Sequence, residues 1–481
     1  MSRFPNIVRI ILLAVGLGLA RLGLIERERA IEATRLAWPR IVTGLARMSK
    51  GAVDVAMVGV AVGSTAIAGV GFASPFWGFA WIVGAGVAGG TIALVSQCFG
   101  ADAYDELELA VRSSVLLVLA LSLPVAGVFF TYSTELISLL SSSPEAIGYG
   151  GEYLRLIAFG LPFGALNFVG SRVLVGADDA FSAMQIRAAG SLANIGLNAV
   201  LIFGLGLGVA GAALGTAFAS LAVSLTFGVG LIRGKLPIIG TLPVRIDIAG
   251  DYLDVATITD LVKIGLPLGA RNLAWNGAQY PMLALLNLYG QEVVAGYVIA
   301  RRIWGLLNTP GWGFGLASTS LVGQQLGTGN EMEAEQYGRD VIRFAIGVYL
   351  VTSAFVLVFA GQIVRLFVND PNDPAVPVAI TLVYVSCIAV PFQGIAGSSA
   401  GPLNASGDTR VPFVSRIIGM FCIGLPLLYL GTITPLGMWG VYLAMMAESC
   451  VPAVINYWRF NTGKWKHISR QYRPEAAPTT D

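Results

Sequence analysis

The chain has 481 residues, of which 55% are hydrophobic and 12% are charged, and its mean hydropathy is +0.73. Soluble globular domains carry about 25% charged residues, so the composition excludes a soluble globular protein and indicates that lipid is the main solvent of the chain. The formal net charge of +2 says little about partners, and no nucleic acid is expected among them. The four cysteines are scattered in apolar runs without paired spacing, which argues against a disulfide framework or a zinc site.

The first 34 residues resemble a signal peptide only superficially. Arg3 and Arg9 precede an apolar stretch from Ile10 to Ala20, but no small-residue cleavage site follows, and a mixed-charge run begins at Glu26. We therefore expect residues 1–34 to form a retained helix that lies in the interface or is a short membrane helix.

Twelve hydrophobic segments follow, each long enough to cross the hydrocarbon core, which takes about 20 helical residues. No period-two alternation with regular turn signals occurs, so a β-barrel is not expected. The sequence predicts an all-α integral membrane protein with twelve transmembrane helices, centred roughly on residues 50, 83, 120, 163, 193, 220, 273, 306, 350, 388, 421 and 447.

The Lys and Arg residues of the short connections set the expected orientation. They cluster in or beside the even-numbered loops and are missing from the loops after the first, fifth and eleventh helices. Because positive loops stay in the cytoplasm, we predict a multi-pass protein of the cell membrane with both termini cytoplasmic. The tail, residues 461–481, is basic and then rich in Pro, Ala and Thr.

An internal repeat divides the chain. Residues 63–112 align with residues 290–339 without a gap, and fifteen of these fifty positions are identical. We expect two six-helix bundles, residues 35–233 and 261–460, joined by a cytoplasmic linker at 234–260. Six is an even number, so both bundles enter the membrane from the same side and a pseudo-two-fold axis runs along the membrane normal. This is typical of transporters.

Several motifs then resemble one family. They are the run from Val53 to Gly59, the run from Ala68 to Pro75, the segment Gly89–Ala101, and the loop Gly401–Pro412 with its first-half copy from Leu174 to Asp179. In order and spacing they resemble the multidrug and toxic compound extrusion (MATE) family over about residues 35 to 460. A carboxylate in the first helix with polar partners in the N-terminal half is similar to the archaeal and DinF-like branch.

This resemblance implies a function. We expect a secondary transporter that exports drug-like, cationic or amphipathic compounds in exchange for inward H⁺ or Na⁺, by rocking of the two bundles. The alternative is a flippase or exporter of lipid-linked or anionic solutes in the same wider superfamily. The expected partners are a small organic substrate, the coupling ion and membrane lipid, and the protein is expected to be a monomer.

Catalysis is not expected. There is no nucleotide-binding Gly-x-x-x-x-Gly-Lys-Ser/Thr motif, and the single histidine, His467, lies in the polar tail. We therefore predict neither an enzyme nor a bound cofactor or catalytic metal.

Asp54 is the candidate coupling residue, because a carboxylate inside an apolar helix is costly and marks ion or proton paths. The resemblance gives it four polar partners and a helix-bend position, and Na⁺ at Asp54 is a possible metal site. The alternative is a packing salt bridge with Lys50, four residues earlier on the same helix face. The predicted partners are Asn194, Asn198, Thr216 and Asn167, and the predicted bend is at Pro39.

A second set of charges lies deep in the C-terminal half. Arginines there should face a cavity or a carboxylate. Glu448 could neutralise one of them, or the Arg301–Arg302 pair could bind an anionic substrate group. Candidate substrate or cavity residues are Arg301, Arg302, Arg271, Glu448 and Tyr280. We also expect Arg187 and Arg416 to bind the loop carboxylates Asp179 and Asp408.

Overall fold

The computed structural model describes residues 6–367 and 373–474, and almost all of these are helical. In a hydrocarbon environment each backbone N–H and C=O group needs an internal partner, which a helix provides within one segment. The long helices are α1 (Ile7–Arg21), α2 (Arg27–Ala61), α3 (Ser64–Gly100), α4 (Tyr104–Thr131), α6 (Pro144–Ile157), α7 (Leu161–Gly176), α8 (Ala180–Ala199), α9 (Gly208–Arg233), α10 (Val255–Leu286), α11 (Gln291–Leu307), α12 (Thr309–Gly327), α13 (Glu331–Arg365), α14 (Ala375–Ala405) and α17 (Met438–Asn461).

Shorter elements complete the chain. The short elements are α5 (Ser133–Ser138), α15 (Arg410–Ile417), α16 (Leu425–Ile433), α18 (Lys464–Ser469), β1 (Lys235–Leu236) and β2 (Gly240–Thr241). Helix α7 is preceded by a 3₁₀ turn, and π-helical segments follow α8 and α15. A two-residue antiparallel pairing of β1 with β2 lies in the linker.

The predicted all-α membrane fold is confirmed. Each of the twelve predicted segment centres lies in a helix. Within the described part of the chain, nine helical stretches are long and apolar enough to cross a membrane. The three predicted segments outside that set are α2, α10 and the pair α11–α12, all of which are helical.

The N-terminal segment also forms a helix. Asn6 caps α1 by accepting a hydrogen bond from the backbone N–H of Val8 at 2.9 Å. The buried face of α1 carries Leu12 and Gly16, and Gly16 lies against the ring of Phe344 on α13. Whether α1 lies in the interface or within the membrane stays a prediction.

The described residues form two compact units whose boundaries fall inside helices. The C-terminal unit is the chain up to Ile41 together with Ala270–Arg473, and the N-terminal unit is Val42–Gly269. The first part of α2 therefore packs with the helices of the second repeat, where Gly313 lies against the backbone of Ala37. The first part of α10 packs with the first repeat, where Gly265 lies against Gly86. The bundle limits given by the repeat, 35–233 and 261–460, stay a prediction about the duplicated sequence.

Small residues allow helices to approach closely inside each unit. In the N-terminal unit, Gly84 on α3 lies against Ala165 on α7, and Gly176 lies against Val95. In the C-terminal unit, Tyr349 on α13 is fully buried, and its hydroxyl donates to the carbonyl of Asn308 at 3.2 Å. The cores of both units are therefore built from close helix contacts.

The linker is anchored to the N-terminal unit. The guanidinium of Arg112 donates to the backbone carbonyls of Asp247 and Asp251, at 2.8 and 3.1 Å. Asp254 caps α10 by accepting from the backbone N–H of Thr257 at 2.7 Å, and its hydrogen bonds to Thr257 lower the pKa of the Asp254 carboxyl. These contacts position the start of α10.

Gly394 provides a test of the close packing between α13 and α14. A methyl group at Gly394 would overlap the ring of Tyr349, whereas at Gly397, on the same helix, it would meet only ordinary contacts. We expect Gly394→Ala to lower the free energy of unfolding by about 1–3 kcal/mol, the usual cost of overpacking. Thermal unfolding of the purified protein in detergent measures this. Gly397→Ala is the matched control, and equal midpoints for the two variants would contradict the packing.

Candidate coupling site and polar pocket

Asp54 lies on α2 within the N-terminal unit and makes two charge-assisted contacts. The ammonium of Lys50 is 2.7 Å from Oδ2 of Asp54, one helical turn away. The side-chain amide of Asn198, on α8, donates to Oδ1 at 2.9 Å. The Lys50 salt bridge, which was the alternative to a coupling role, is therefore present, and Asn198 is bound to the same carboxylate.

A hydrogen-bond chain continues from Asn198. Its amide nitrogen also lies 3.4 Å from Oδ1 of Asn194, whose own amide donates to the hydroxyl of Thr216 on α9 at 3.1 Å. Asn194 and Asn198 are almost completely buried. The α8 spacing of four residues places both asparagines on one face, and a bare Gly215 leaves room for Oδ1 of Asn198.

This series of hydrogen bonds leads to a polar pocket of about 130 Å³ in the same unit. Lys50, Asn194 and Thr216 line this pocket, whereas Asp54 and Asn198 are not in its lining. Asn167, the fifth predicted residue, also lines it, and its amide donates to the carbonyl of Ser220 at 3.1 Å. The structure therefore brings the predicted polar residues together around one pocket and one carboxylate.

Pro39 lies away from this site, in the part of α2 that belongs to the C-terminal unit. Proline removes one backbone donor and weakens the helix locally, yet α2 is continuous through it. The boundary between the units falls two residues later, after Ile41. The bend at Pro39 stays a prediction.

Two further basic residues line the pocket, and the sequence prediction of the site did not include them. These are Arg47, on the α2 face of Lys50, and Arg187 on α8. Arg187 was expected to bind Asp179, but this is wrong. Asp179 accepts from the backbone N–H of Ser182 and caps α8, while the guanidinium of Arg187 lies 5.3 Å from the centre of the Phe168 ring. A helix N-terminus needs such a cap, and this need decides the contact of Asp179.

In the C-terminal unit, Arg301 and Glu448 form a buried ion pair. Two guanidinium nitrogens of Arg301 donate to the two carboxylate oxygens of Glu448, at 2.8 and 3.0 Å. The guanidinium also lies 4.9 Å from the ring centre of Trp275 and 4.3 Å from that of Trp304, and these two rings are stacked. Of the two alternatives that the sequence left open for the deep arginines, the structure has the one in which Glu448 neutralises Arg301.

Arg416 also belongs to this cluster. The sequence had predicted that Arg416 binds Asp408, and this prediction is wrong. Its guanidinium donates to the backbone carbonyl of Glu448 at 3.0 Å and lies over Trp275. Asp408 instead pairs with Arg459 at 2.6 Å. The side chain of Asp408 is 5% exposed, and Arg459 supplies the opposite charge that a buried carboxylate needs.

The remaining candidates of the C-terminal unit are outside the ion pair. Arg302 is exposed, and Tyr280 is 63% exposed. Arg271 lies near enough to Arg416 for their like charges to repel. The structure therefore does not gather the five predicted substrate residues into one site.

Metal ligation has little support within residues 6–367 and 373–474, where no group of three or more His, Cys, Asp or Glu side chains could hold a metal ion. At Asp54 the neighbouring amide presents its nitrogen and Lys50 adds a positive charge. Na⁺ prefers oxygen donors, so these neighbours of Asp54 suit a proton better than Na⁺.

Comparison with known proteins now assigns the family. The MatE family model matches residues 39–200 and again residues 267–430, one match in each half of the chain. The chain belongs to the MatE family. The predicted resemblance and the duplicated architecture agree with this assignment, and the prediction of a membrane transporter that is not an enzyme is confirmed.

Relatives of this MatE chain align over nearly their whole length. The chain is 28% identical to "Multidrug resistance protein PmpM" of Pseudomonas aeruginosa, over 85% of each chain. It is 27% identical to "Probable multidrug resistance protein NorM" of Rhodopseudomonas palustris, over 90% of this chain and 92% of that protein.

Solved structures show the same fold. An outward-facing multidrug resistance MATE family transporter has a TM-score of 0.82 at 22% identity, over 91% of this chain and 96% of that one. A MATE structure in the bent conformation has a TM-score of 0.84 at 21% identity, over 98% and 100% of the two chains. At these identities the likeness establishes the fold alone.

The buried ion pair of the C-terminal unit can be tested by single and double substitution. We expect Glu448→Ala to lower the free energy of unfolding by about 3–5 kcal/mol, because it leaves the Arg301 charge buried without its carboxylate. The double variant Arg301→Met with Glu448→Leu should recover most of this loss, because it removes both charges. Thermal unfolding in detergent compares the variants, and an unchanged midpoint in Glu448→Ala would show that the pair is not needed.

Proposed function

We propose that this MatE transporter exports small, drug-like organic compounds in exchange for inward H⁺, and that Asp54 carries the proton. The names of the multidrug resistance relatives support the class of substrate. We further propose a location in the cell membrane with both termini cytoplasmic, a monomeric state and no bound cofactor.

The observation that carries the proposal is the contact between Asp54 and a lining residue of the pocket. Lys50 both pairs with Asp54 and lines the polar pocket. Protonation of the carboxylate would remove its charge, break this ion pair and release the ammonium of Lys50. The charge at the pocket would then depend on whether the coupling ion is bound, which is the differential interaction that coupling requires.

A proton suits this site better than Na⁺. The carboxylate of Asp54 already has one ammonium and one amide donor, which neutralise and orient it. A sodium ion would have to displace Lys50 and gather several oxygen ligands, whereas a proton binds to a single oxygen. Rocking of the two bundles, as in other transporters built from parallel repeats, is the proposed means of exposing the site to alternate sides.

Export of anionic or lipid-linked solutes is the second candidate function. The sequence based it on Arg301 and Arg302, but Arg301 is neutralised by Glu448. Its support now comes from Arg47 and Arg187, which line the pocket of the N-terminal unit. This observation concerns the substrate and leaves the coupling role of Asp54 unchanged.

Asp54→Asn tests the coupling role. In proteoliposomes with the pH gradient and the sodium gradient varied separately, we expect the wild type to move an organic substrate in response to the pH gradient. Asp54→Asn should lose this response, because an amide cannot take up the proton. Asp251→Asn, an exposed linker position, is the matched control. Coupled export retained in Asp54→Asn would overturn the assignment, and a response to sodium alone would replace H⁺ by Na⁺.

Gly215→Ala tests the position of Asn198 without changing any charged group. A methyl group there would overlap Oδ1 of Asn198, whereas at Gly228 on the same helix it would meet open space. Loss of a hydrogen bond to a charged group costs roughly 1.5–3 kcal/mol, so we expect proton-driven export to fall by roughly ten- to a hundredfold in Gly215→Ala. Gly228→Ala should match the wild type. Equal rates in both variants would show that Asn198 does not position Asp54.

A further inference from the structure

The polar pocket of the N-terminal unit is unusually basic for a cavity inside membrane helices. Three of its lining side chains are cationic, those of Arg47, Lys50 and Arg187, and among the described residues none of the lining side chains is acidic. Charges in transmembrane segments are costly and normally meet an opposite charge. The described lining therefore contributes three cationic side chains and no carboxylate.

Two of these cations, Lys50 and Arg187, differ in what they contact. Lys50 is held by Asp54 at 2.7 Å, so its charge is balanced in this structure. Arg187 makes no ion pair with a described residue, and its guanidinium lies over the ring of Phe168. The like charges of Arg172 and Arg47 act on Arg187 as well. An anion in the pocket would relieve this repulsion, and Arg187 is the side chain best placed to bind it.

Neutral donors lie around the same pocket. The hydroxyl of Ser191 is one turn along α8 from Arg187, and at present it donates to the carbonyl of Arg187 at 3.1 Å. Asn194 follows three residues later, and Asn167 faces the pocket from α7. Guanidinium groups bind oxyanions through two parallel N–H donors, and hydroxyl and amide groups can complete the shell of hydrogen bonds around them.

The size of the pocket decides what fraction of a ligand it could hold. Sites that enclose a whole drug-sized molecule measure about 300–1,000 Å³, whereas this pocket measures about 130 Å³. The pocket is therefore the size of a small charged group, and it encloses only part of a drug-sized compound.

We propose that this pocket binds one oxyanion group, a carboxylate or a phosphate, of an amphipathic solute or of a lipid headgroup, with Arg187 and Arg47 as its cationic ligands. The inference deepens the proposed function, because the anionic group would belong to a molecule that the transporter moves. The binding itself requires neither a gradient nor a working Asp54, so it can be tested separately from coupling.

Equilibrium dialysis of the purified full-length protein in a neutral detergent tests the site, with radiolabelled inorganic phosphate as the probe and benzoate as the competitor. We expect saturable binding to one site per chain and displacement of phosphate by benzoate. Arg187→Gln should weaken phosphate binding by about tenfold or more, because it removes a charge-assisted hydrogen-bond pair. Arg187→Lys keeps the charge but loses the bidentate geometry of the guanidinium. Its affinity for phosphate should lie between those of the wild type and of Arg187→Gln.

Arg233→Gln is the matched control, because it removes one exposed arginine from the end of α9 in the same unit. It should bind phosphate as the wild type does. Arg47→Gln is a second variant that should also weaken binding, should Arg187→Gln fail to give folded protein. The absence of saturable phosphate binding in the wild type, or equal binding in the wild type and Arg187→Gln, would overturn the proposal.

Nanodiscs distinguish the two sources of the oxyanion. If a lipid headgroup occupies the pocket, phosphate binding should be lost in nanodiscs of phosphatidylglycerol and kept in those of phosphatidylcholine. Binding kept in both would assign the site to a soluble solute. Loss of proton-driven export in Asp54→Asn with phosphate binding intact would support both proposals. Intact export in Asp54→Asn would contradict the coupling role of Asp54 but not the proposal of an anion site.

Discussion

The cost of a charge inside an apolar helix bundle is the constraint on which the interior of both units depends. Removing an ion from water costs several kcal/mol even after the protein relaxes, so a charged side chain within a span needs a partner, either a side chain of its own unit or a ligand. In the C-terminal unit the carboxylate of Glu448 receives two nitrogens of Arg301. In the N-terminal unit Asp54 receives Lys50 and Asn198. These contacts fix how α2, α8, α11 and α17 are rotated about their axes.

The duplicated sequence gives both halves similar helices but different charges. The repeat places Pro281 where the first half has Asp54, and it places Ser74 where the second half has Arg301. Each unit therefore satisfies the same constraint in its own way. The C-terminal unit closes its ion pair beside two stacked aromatic rings, and the N-terminal unit leaves its ion pair beside a polar pocket. This difference supports a coupling site in the N-terminal unit.

The sequence predicted most of the fold and part of the site. Helix positions follow from hydrophobic length, so all twelve centres lie in helices. The contact of Lys50 with Asp54 and the shared face of Asn194 and Asn198 follow from helical periodicity, which needs no tertiary information.

Contacts between helices were harder to predict, because hydropathy does not fix how a helix is rotated against its neighbours. Arg187 and Arg416 were assigned to the nearest loop carboxylates, yet one lies on an aromatic ring and the other binds a backbone carbonyl. In both cases the carboxylate was already used, by the α8 N-terminus or by Arg459. The unit boundaries within α2 and α10 had no signal in the hydropathy either, because a helix that passes from one unit to the other remains continuous in sequence.

The geometry of the arginines also decides which half of the molecule is suited to bind an anionic group. The guanidinium of Arg301 uses two of its nitrogens on Glu448 and lies within 5 Å of two indole ring centres. A ligand anion at Arg301 would have to displace a carboxylate that is 2% exposed, which would leave that carboxylate buried without a partner. Arg187 forms no ion pair with a described residue. The aromatic ring beside it stabilises its charge without neutralising it. The geometry is therefore the reason for placing the proposed anion site in the N-terminal pocket and not at Arg301.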